Sequence, residues 1–173
     1  LGDTTLSAKR DEDYVGSYQW APLVYTGAFT IADFEQWKTT VFGLATKVDF
    51  IMVGGYRKLK RLPDSGPKEE FVPPGEVMRW TEKNSPVPVI GIDIFNTEDG
   101  AMMSVGVSPF EQGNTAANMA RRILEDGVAP SKIPFATSQQ YVVAFRRSAL
   151  DRRKLQIPKI FEACARATDN YND

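Results

Sequence analysis

The sequence predicts an α/β chain built on a parallel sheet with helices on both faces. Two observations carry that reading. Residues 48–53 ("VDFIMV"), 88–92 ("PVIGI") and 102–107 ("MMSVGV") are short apolar runs without the polar alternation of a strand wetted on one side, as in buried parallel strands. They alternate along the chain with segments whose apolar residues recur every three or four positions, the pattern of crossover helices and right-handed connections.

Taken in order, Leu1-Gly2-Asp3-Thr4-Thr5 reads as the end of a strand whose beginning is missing. Residues 7–20, charged with spaced aromatics at Tyr14, Tyr18 and Trp20, predict a surface helix stopped by Pro22. Residues 23–29 are short, apolar and β-rich, and predict a strand. Thr30 with Asp33 forms a capping box for the next helix, where Phe34, Trp37, Val41 and Leu44 share one face. After "VDFIMV" the chain turns at Gly54-Gly55. Residues 57–74, with Pro63, Asp64, Ser65, Gly66, Pro67, Pro73 and Pro74, predict a loop. Residues 75–83 predict a short helix with Val77, Met78 and Trp80 as its apolar contacts, broken at Asn84-Ser85-Pro86.

The strand at 102–107 leads into a helix over residues 112–125, whose Ala116, Ala117, Ala120, Ile123 and Leu124 form a narrow face of mostly small residues, suited to close packing. A strand at 141–145, a helical turn at 148–154 and, after Ile157-Pro158, a final helix to about Thr168 complete the chain.

Composition excludes several chemistries. The 173 residues, 42% hydrophobic and 25% charged, are about one ordinary domain with enough apolar content for a core. There is no histidine, which removes histidine-dependent triads and histidine-bound zinc. The single cysteine, Cys164, allows neither an internal disulfide nor a cysteine-rich metal cluster, and its helical surroundings predict a buried small hydrophobe. With 21 basic and 22 acidic residues the chain carries no broad surface for nucleic acid or an anionic membrane. The basic clusters at 57–61 and 146–153 read as solvated faces. No cofactor or metal is implied.

In an open parallel sheet, ligands bind beyond the carboxyl ends of the strands, which makes residues 3–5, 54–56, 93–96 and 108–111 the candidates. Gly54-Gly55 lacks the three spaced glycines of a dinucleotide fingerprint and reads first as a tight turn. Asp93 has three readings: it holds an amino group, accepts a phosphoryl group, or caps the next turn. Tyr56 and Phe95 either wall a small apolar ligand or shield the sheet end, and Asn96 offers both a donor and an acceptor. The adjacent carboxylates Glu69-Glu70 and Glu98-Asp99 do not by spacing alone aim two groups at one substrate.

The segment "GVSPFEQGNTAANMARRILEDGVAPSKIPF", with its "G..AA.MA..IL..G..PS.IP" pattern, and the following "YVVAFRRSALDRRKLQIP" resemble ABC-transporter substrate-binding proteins related to tryptophan- and tyrosine-binding receptors. Upstream, "DFEQWKTTVFGLATKVDFIMVG" and "EVMRWTEKNSPVPVIGID" resemble the second lobe of the same family, so the likeness covers most of the chain. The resemblance implies a Rossmann-like, periplasmic-binding-protein-like lobe and a non-enzymatic receptor, periplasmic or otherwise extracytoplasmic. It divides the chain into a second lobe at 1–107, a hinge crossing with a docking helix at 108–145, and a return segment with the terminal helix at 146–173. Ser108, Pro109 and Glu111 would be hinge residues. Thr4, Thr5, Gly55, Tyr56, Asp93, Phe95 and Asn96 would meet a small-molecule solute, Asp93 holding an amino group and Thr4 and Thr5 a carboxylate. A permease or a signalling protein would be the partner, and helix 112–125 would pack on a first lobe absent from this chain or in a homodimer. The rival readings are an extracellular sensor domain of a membrane signalling protein and a small α/β enzyme using Asp93.

Overall fold

Parallel strands with helical crossovers dominate the computed structural model, which describes residues 1–61 and 70–173. The strand β1 (Gly2–Asp3) pairs in parallel with β2 (Thr30–Ile31). Its other edge is bonded to the segment carrying β3 (Ile51–Val53): Leu1 N donates to Met52 O at 2.7 Å, Gly54 N to Leu1 O at 3.1 Å, and Asp3 N to Gly55 O at 2.7 Å. From β3 the sheet continues through β6 (Val89–Gly91) and β7 (Met103–Val107), both parallel. The next strand, β8 (Tyr141–Arg146), runs antiparallel to β7, and β9 (Tyr171–Asn172) runs parallel to β8. The expected sheet is therefore present with one reversed step, which arises because the chain leaves the end of β7 and returns beside it.

The helix α1 (Leu6–Ser17) begins at the Thr5 cap and ends at Ser17, three residues short of the expected end at Trp20. Residues 23–29 form no strand, and the pairing falls on Thr30 and Ile31 instead. Thr30 does not cap the next helix; its hydroxyl donates to Glu12 Oε2 at 2.7 Å, and Asp33 alone caps α2 (Phe34–Leu44) by accepting from Gln36 N at 2.8 Å.

The predicted stripe of α2 is fully realised: Phe34, Trp37, Val41 and Leu44 are all buried. They pack with Ile51, Val53 and Val89 from one sheet face and with Val77 and Met78 from α3 (Pro74–Asn84). Complete burial of each such side chain contributes about 1.5–3 kcal/mol. Trp37 Nε1 donates to Thr81 Oγ1 at 2.8 Å, which satisfies a buried indole N–H within that core.

Side chains alternate between faces along a strand, so Met52 points away from Ile51 and Val53. On that side Met52 and Ile92 line a cavity of about 330 Å³ together with Ala8 and Val15 of α1 and residues of the 20–29 segment.

The expected loop at 57–74 contains one antiparallel rung, β4 (Lys60–Arg61) against β5 (Glu70–Phe71). Pro63, Asp64, Ser65, Gly66, Pro67 and Glu69 lie outside the described residues.

The helix α4 (Phe95–Asp99) sits directly on β6: a Cβ on Gly91 would overlap Asn96. Past β7, the helix α5 (Pro109–Leu124) has no buried residue. The chain closes with α6 (Arg147–Arg153) and α7 (Lys159–Ala167), whose Ala149, Leu150 and Ala165 form a second core with Met102 and Phe145.

Two expectations fail here. Cys164 is exposed, because Ala165 takes the inward position on α7. Nor is the basic run 146–153 only a solvated face: Arg153 Nε and Arg152 Nη2 donate to the buried Glu82 Oε1 at 2.6 and 2.9 Å, tying α6 to α3. Arg146 Nη2 donates to Thr97 O at 2.9 Å.

A candidate ligand site at the carboxyl edge of the sheet

Four parallel strands, β1, β3, β6 and β7, end along one edge, and the turns after them supply the candidate residues. After β1, buried Asp3 acts as a stitch. Its Oδ1 accepts from Thr5 N at 3.0 Å and Thr5 Oγ1 at 2.6 Å, and its Oδ2 accepts from Lys58 N at 3.0 Å, in the turn after β3. Thr5 Oγ1 also accepts from Ala8 N at 3.3 Å as the cap of α1, so this hydroxyl is engaged inside the protein. Thr4 is exposed.

After β3 come Gly54, Gly55, Tyr56 and Arg57. Tyr56 is buried completely, its ring between Trp37 and Phe95 at centroid distances of 6.4 and 6.2 Å. Its hydroxyl donates to Asp99 Oδ2 at 2.6 Å. Burial and that bond to a carboxylate push the phenol well above its ordinary range, so it stays protonated. Arg57 Nη2 donates to the same Asp99 oxygen at 3.1 Å, and its guanidinium lies 4.3 Å from the ring centroid of Phe95.

After β6, the fully buried Asn96 joins two strand ends: Oδ1 accepts from Asp93 N at 2.9 Å and Nδ2 donates to Gly54 O at 3.5 Å. The Asp93 carboxylate makes no side-chain hydrogen bond among the described residues and does not cap α4, whose cap position is Ile94. Burial raises its pKa, the negative charge of Asp11 raises it further, and Arg57 opposes both. Asp11, on α1, reaches toward Gly54: a Cβ built there would lie 3.8 Å from Asp11 Oδ2. Burial raises the Asp11 pKa as well.

Phe95, Asn96, Asp93, Gly55, Tyr56 and Thr5 thus lie along one edge. Tyr56, Asn96 and Thr5 direct their polar atoms inward, whereas the Asp93 carboxylate has no hydrogen-bond partner among the described residues. The sequence reading missed Asp11 and Arg57. A signal for Asp11 existed: Ala8, Asp11, Glu12 and Val15 follow the spacing of the sheet-facing stripe of α1, and all four line the cavity beside the sheet, so a carboxylate there is out of place for a core position. Arg57 was hidden within a basic run and carried no local mark.

Ser108, Pro109 and Glu111 lie where β7 gives way to α5. Ser108 caps the helix by accepting from Glu111 N at 3.3 Å, and its N–H donates to Gln140 O at 2.9 Å. The Glu111 carboxylate accepts from Gln139 N at 2.9 Å and Gln140 N at 2.9 Å, which clasps the outgoing chain to the returning one.

The profile of the ABC transporter substrate binding protein family matches residues 75–168, more than half of the chain. The chain belongs to that family. The chain also resembles solved structures at low identity. A substrate binding protein with adhesive properties from Clostridium difficile, in its ligand-free open form, matches with a TM-score of 0.66 and 19% identity over 91% of this chain and 49% of its own. An ABC domain from Streptococcus pneumonia in complex with L-Trp matches with a TM-score of 0.61 and 15% identity over 94% of this chain and 53% of its own. A conserved domain protein from Vibrio cholerae gives 0.56 and 17%, over 85% and 44%. The chain spans about half the length of these structures and shares their fold. It matches no curated protein.

Proposed function

We propose that the chain is the second lobe of an extracytoplasmic, two-lobed receptor that captures a small organic solute, of amino-acid type, and presents it to an ABC transporter. Family membership supports the transport role. The observation that carries the ligand reading is the Asp93 carboxylate, half-buried and without a hydrogen-bond partner among the described residues at the strand edge. A carboxylate held that way is stabilised by a cation, and an ammonium group on a solute supplies one. The neighbour from Streptococcus pneumonia carries L-Trp, a solute of that charge type.

In this reading residues 1–107 hold the lower wall of the cleft, residues 108–145 cross to the first lobe and place α5 on it, and residues 146–173 return. The exposed side of α5 suits that seat: Phe110 and Leu124 are 85% and 82% exposed, and no described residue lies within 4 Å of a Cβ built on Gly113. Solute binding then favours lobe closure because the closed state makes contacts the open one lacks.

Thermal-shift screening of the full-length receptor against amino acids, nucleosides and small organic acids tests the reading. An ammonium-bearing solute is expected to stabilise it with increasing concentration, by about 2.7 kcal/mol at a hundredfold excess over Kd. Asp93→Asn is expected to remove that response. A panel without a single stabilising solute overturns the proposal.

A further inference from the structure

We propose that Arg57 is the specificity-determining residue of this edge, a guanidinium fixed in advance to receive a carboxylate on the solute; the inference rests on the ligand site proposed above. Three contacts set its position. Phe95 lies under the guanidinium, at 4.3 Å from Cζ to the ring centroid. Asp99 Oδ2 takes one of its N–H groups at 3.1 Å. Asp99 is itself held by the hydroxyl of Tyr56 at 2.6 Å, and the Tyr56 ring is locked in the core.

The Arg57 side chain is nonetheless half exposed. A guanidinium carries five donors in one plane, and stacking on a ring fixes that plane while leaving its rim open. An arginine held so loses little freedom when an oxyanion meets it, which is the advantage of preorganisation.

The neighbouring charges select the kind of oxyanion. Asp93 feels the charges of both Arg57 and Asp11, and neither carboxylate forms an ion pair among the described residues, so a doubly charged phosphate meets repulsion there. A singly charged carboxylate on a solute whose ammonium faces Asp93 satisfies both signs. The solute class is therefore a zwitterion with its opposite charges close together. This also resolves which group receives the carboxylate: the Thr5 hydroxyl is already bonded to Asp3 and to the helix it caps, whereas Arg57 has donors to spare.

Calorimetric titration of the full-length receptor with the proteinogenic L-amino acids and their methyl esters tests the assignment. In the native protein a binding amino acid is expected to exceed its ester by at least about tenfold in affinity. Arg57→Gln is expected to lower binding of the acid by that factor, leave the ester within about twofold, and so abolish the discrimination. Arg57→Lys, which keeps the charge opposite Asp99 but loses the planar fork, guards against a folding defect and should fall between the two. Tyr56→Phe, which frees Asp99, should weaken the acid and spare the ester. If both Arg57 variants keep the native acid-to-ester ratio while Asp93→Asn still abolishes binding, Arg57 is not the specificity residue and the receptor reading survives. If no amino acid or ester binds the native protein, both fail.

Discussion

A carboxylate without a partner has a cost that can be read as a pH dependence. Burial and the charge of Asp11 raise the pKa of Asp93 in the folded protein above its unfolded value. Between those two values the folded chain holds a proton that the unfolded chain has released, so the unliganded fold loses stability as pH rises through the interval and does not regain it at neutral pH. Asp93→Asn is therefore expected to stabilise the unliganded protein at neutral pH, by less than about 1 kcal/mol because the group is half exposed and screened. The gain should fade as the pH drops below the ordinary carboxylate range. Calorimetric melting from acid to neutral pH checks this, and equal melting temperatures throughout would mean that Asp93 is not strained. At this scale the sequence was only partly legible. Asp93 could be found because it follows a buried strand, but the inward turn of Asn96 and Thr5 could not, since it depends on which backbone groups lie opposite across the sheet.

The placement of α4 rests on an absent side chain. Gly91 leaves β6 flat enough for Asn96 to lie against it, and Asn96 then bonds Asp93 and Gly54, fixing the two strand ends on which the site stands. Gly91→Ala forces a Cβ into that side chain, and overpacking of this kind costs about 1–3 kcal/mol. A lower urea midpoint with weaker solute binding is the expected result; an unchanged midpoint would show that α4 moves away freely. Elements were most legible where periodicity was strong. The stripe of Phe34, Trp37, Val41 and Leu44 fixed α2, because a helix with one buried face has little choice of orientation. Residues 23–29 misled because apolar content is shared by a strand and by a segment that wraps a cavity wall. The reversal of β8 had no local mark, since strand direction is decided by where the preceding chain travels.

Across the whole molecule, the largest departure from ordinary burial is α5. Helices of this length draw most of their stability from packing, and this one buries no residue against its own chain. Hydrogen exchange should accordingly find the α5 amides of the isolated 173-residue chain exchanging far faster than those of α2 and α3, and protected in the full-length receptor. Equal protection in both would remove the need for a seat. The α/β class and the family were open to sequence reading, because they follow from local patterns repeated along the chain. The charge complement of the edge was not, because Asp11, Arg57 and Asp93 are brought together only by the crossovers. The clasp at Glu111 has a mechanical meaning of its own. It holds the outgoing chain at Ser108 beside the returning chain at Gln139 and Gln140, so α5 is attached by two strands lying side by side. One strand would let its load swivel; two adjacent strands resist twisting and bend easily about the line that joins them. In the two-lobed receptor proposed above, the first lobe seated on α5 would thereby be restricted to opening and shutting about a single axis, like a door on paired hinges.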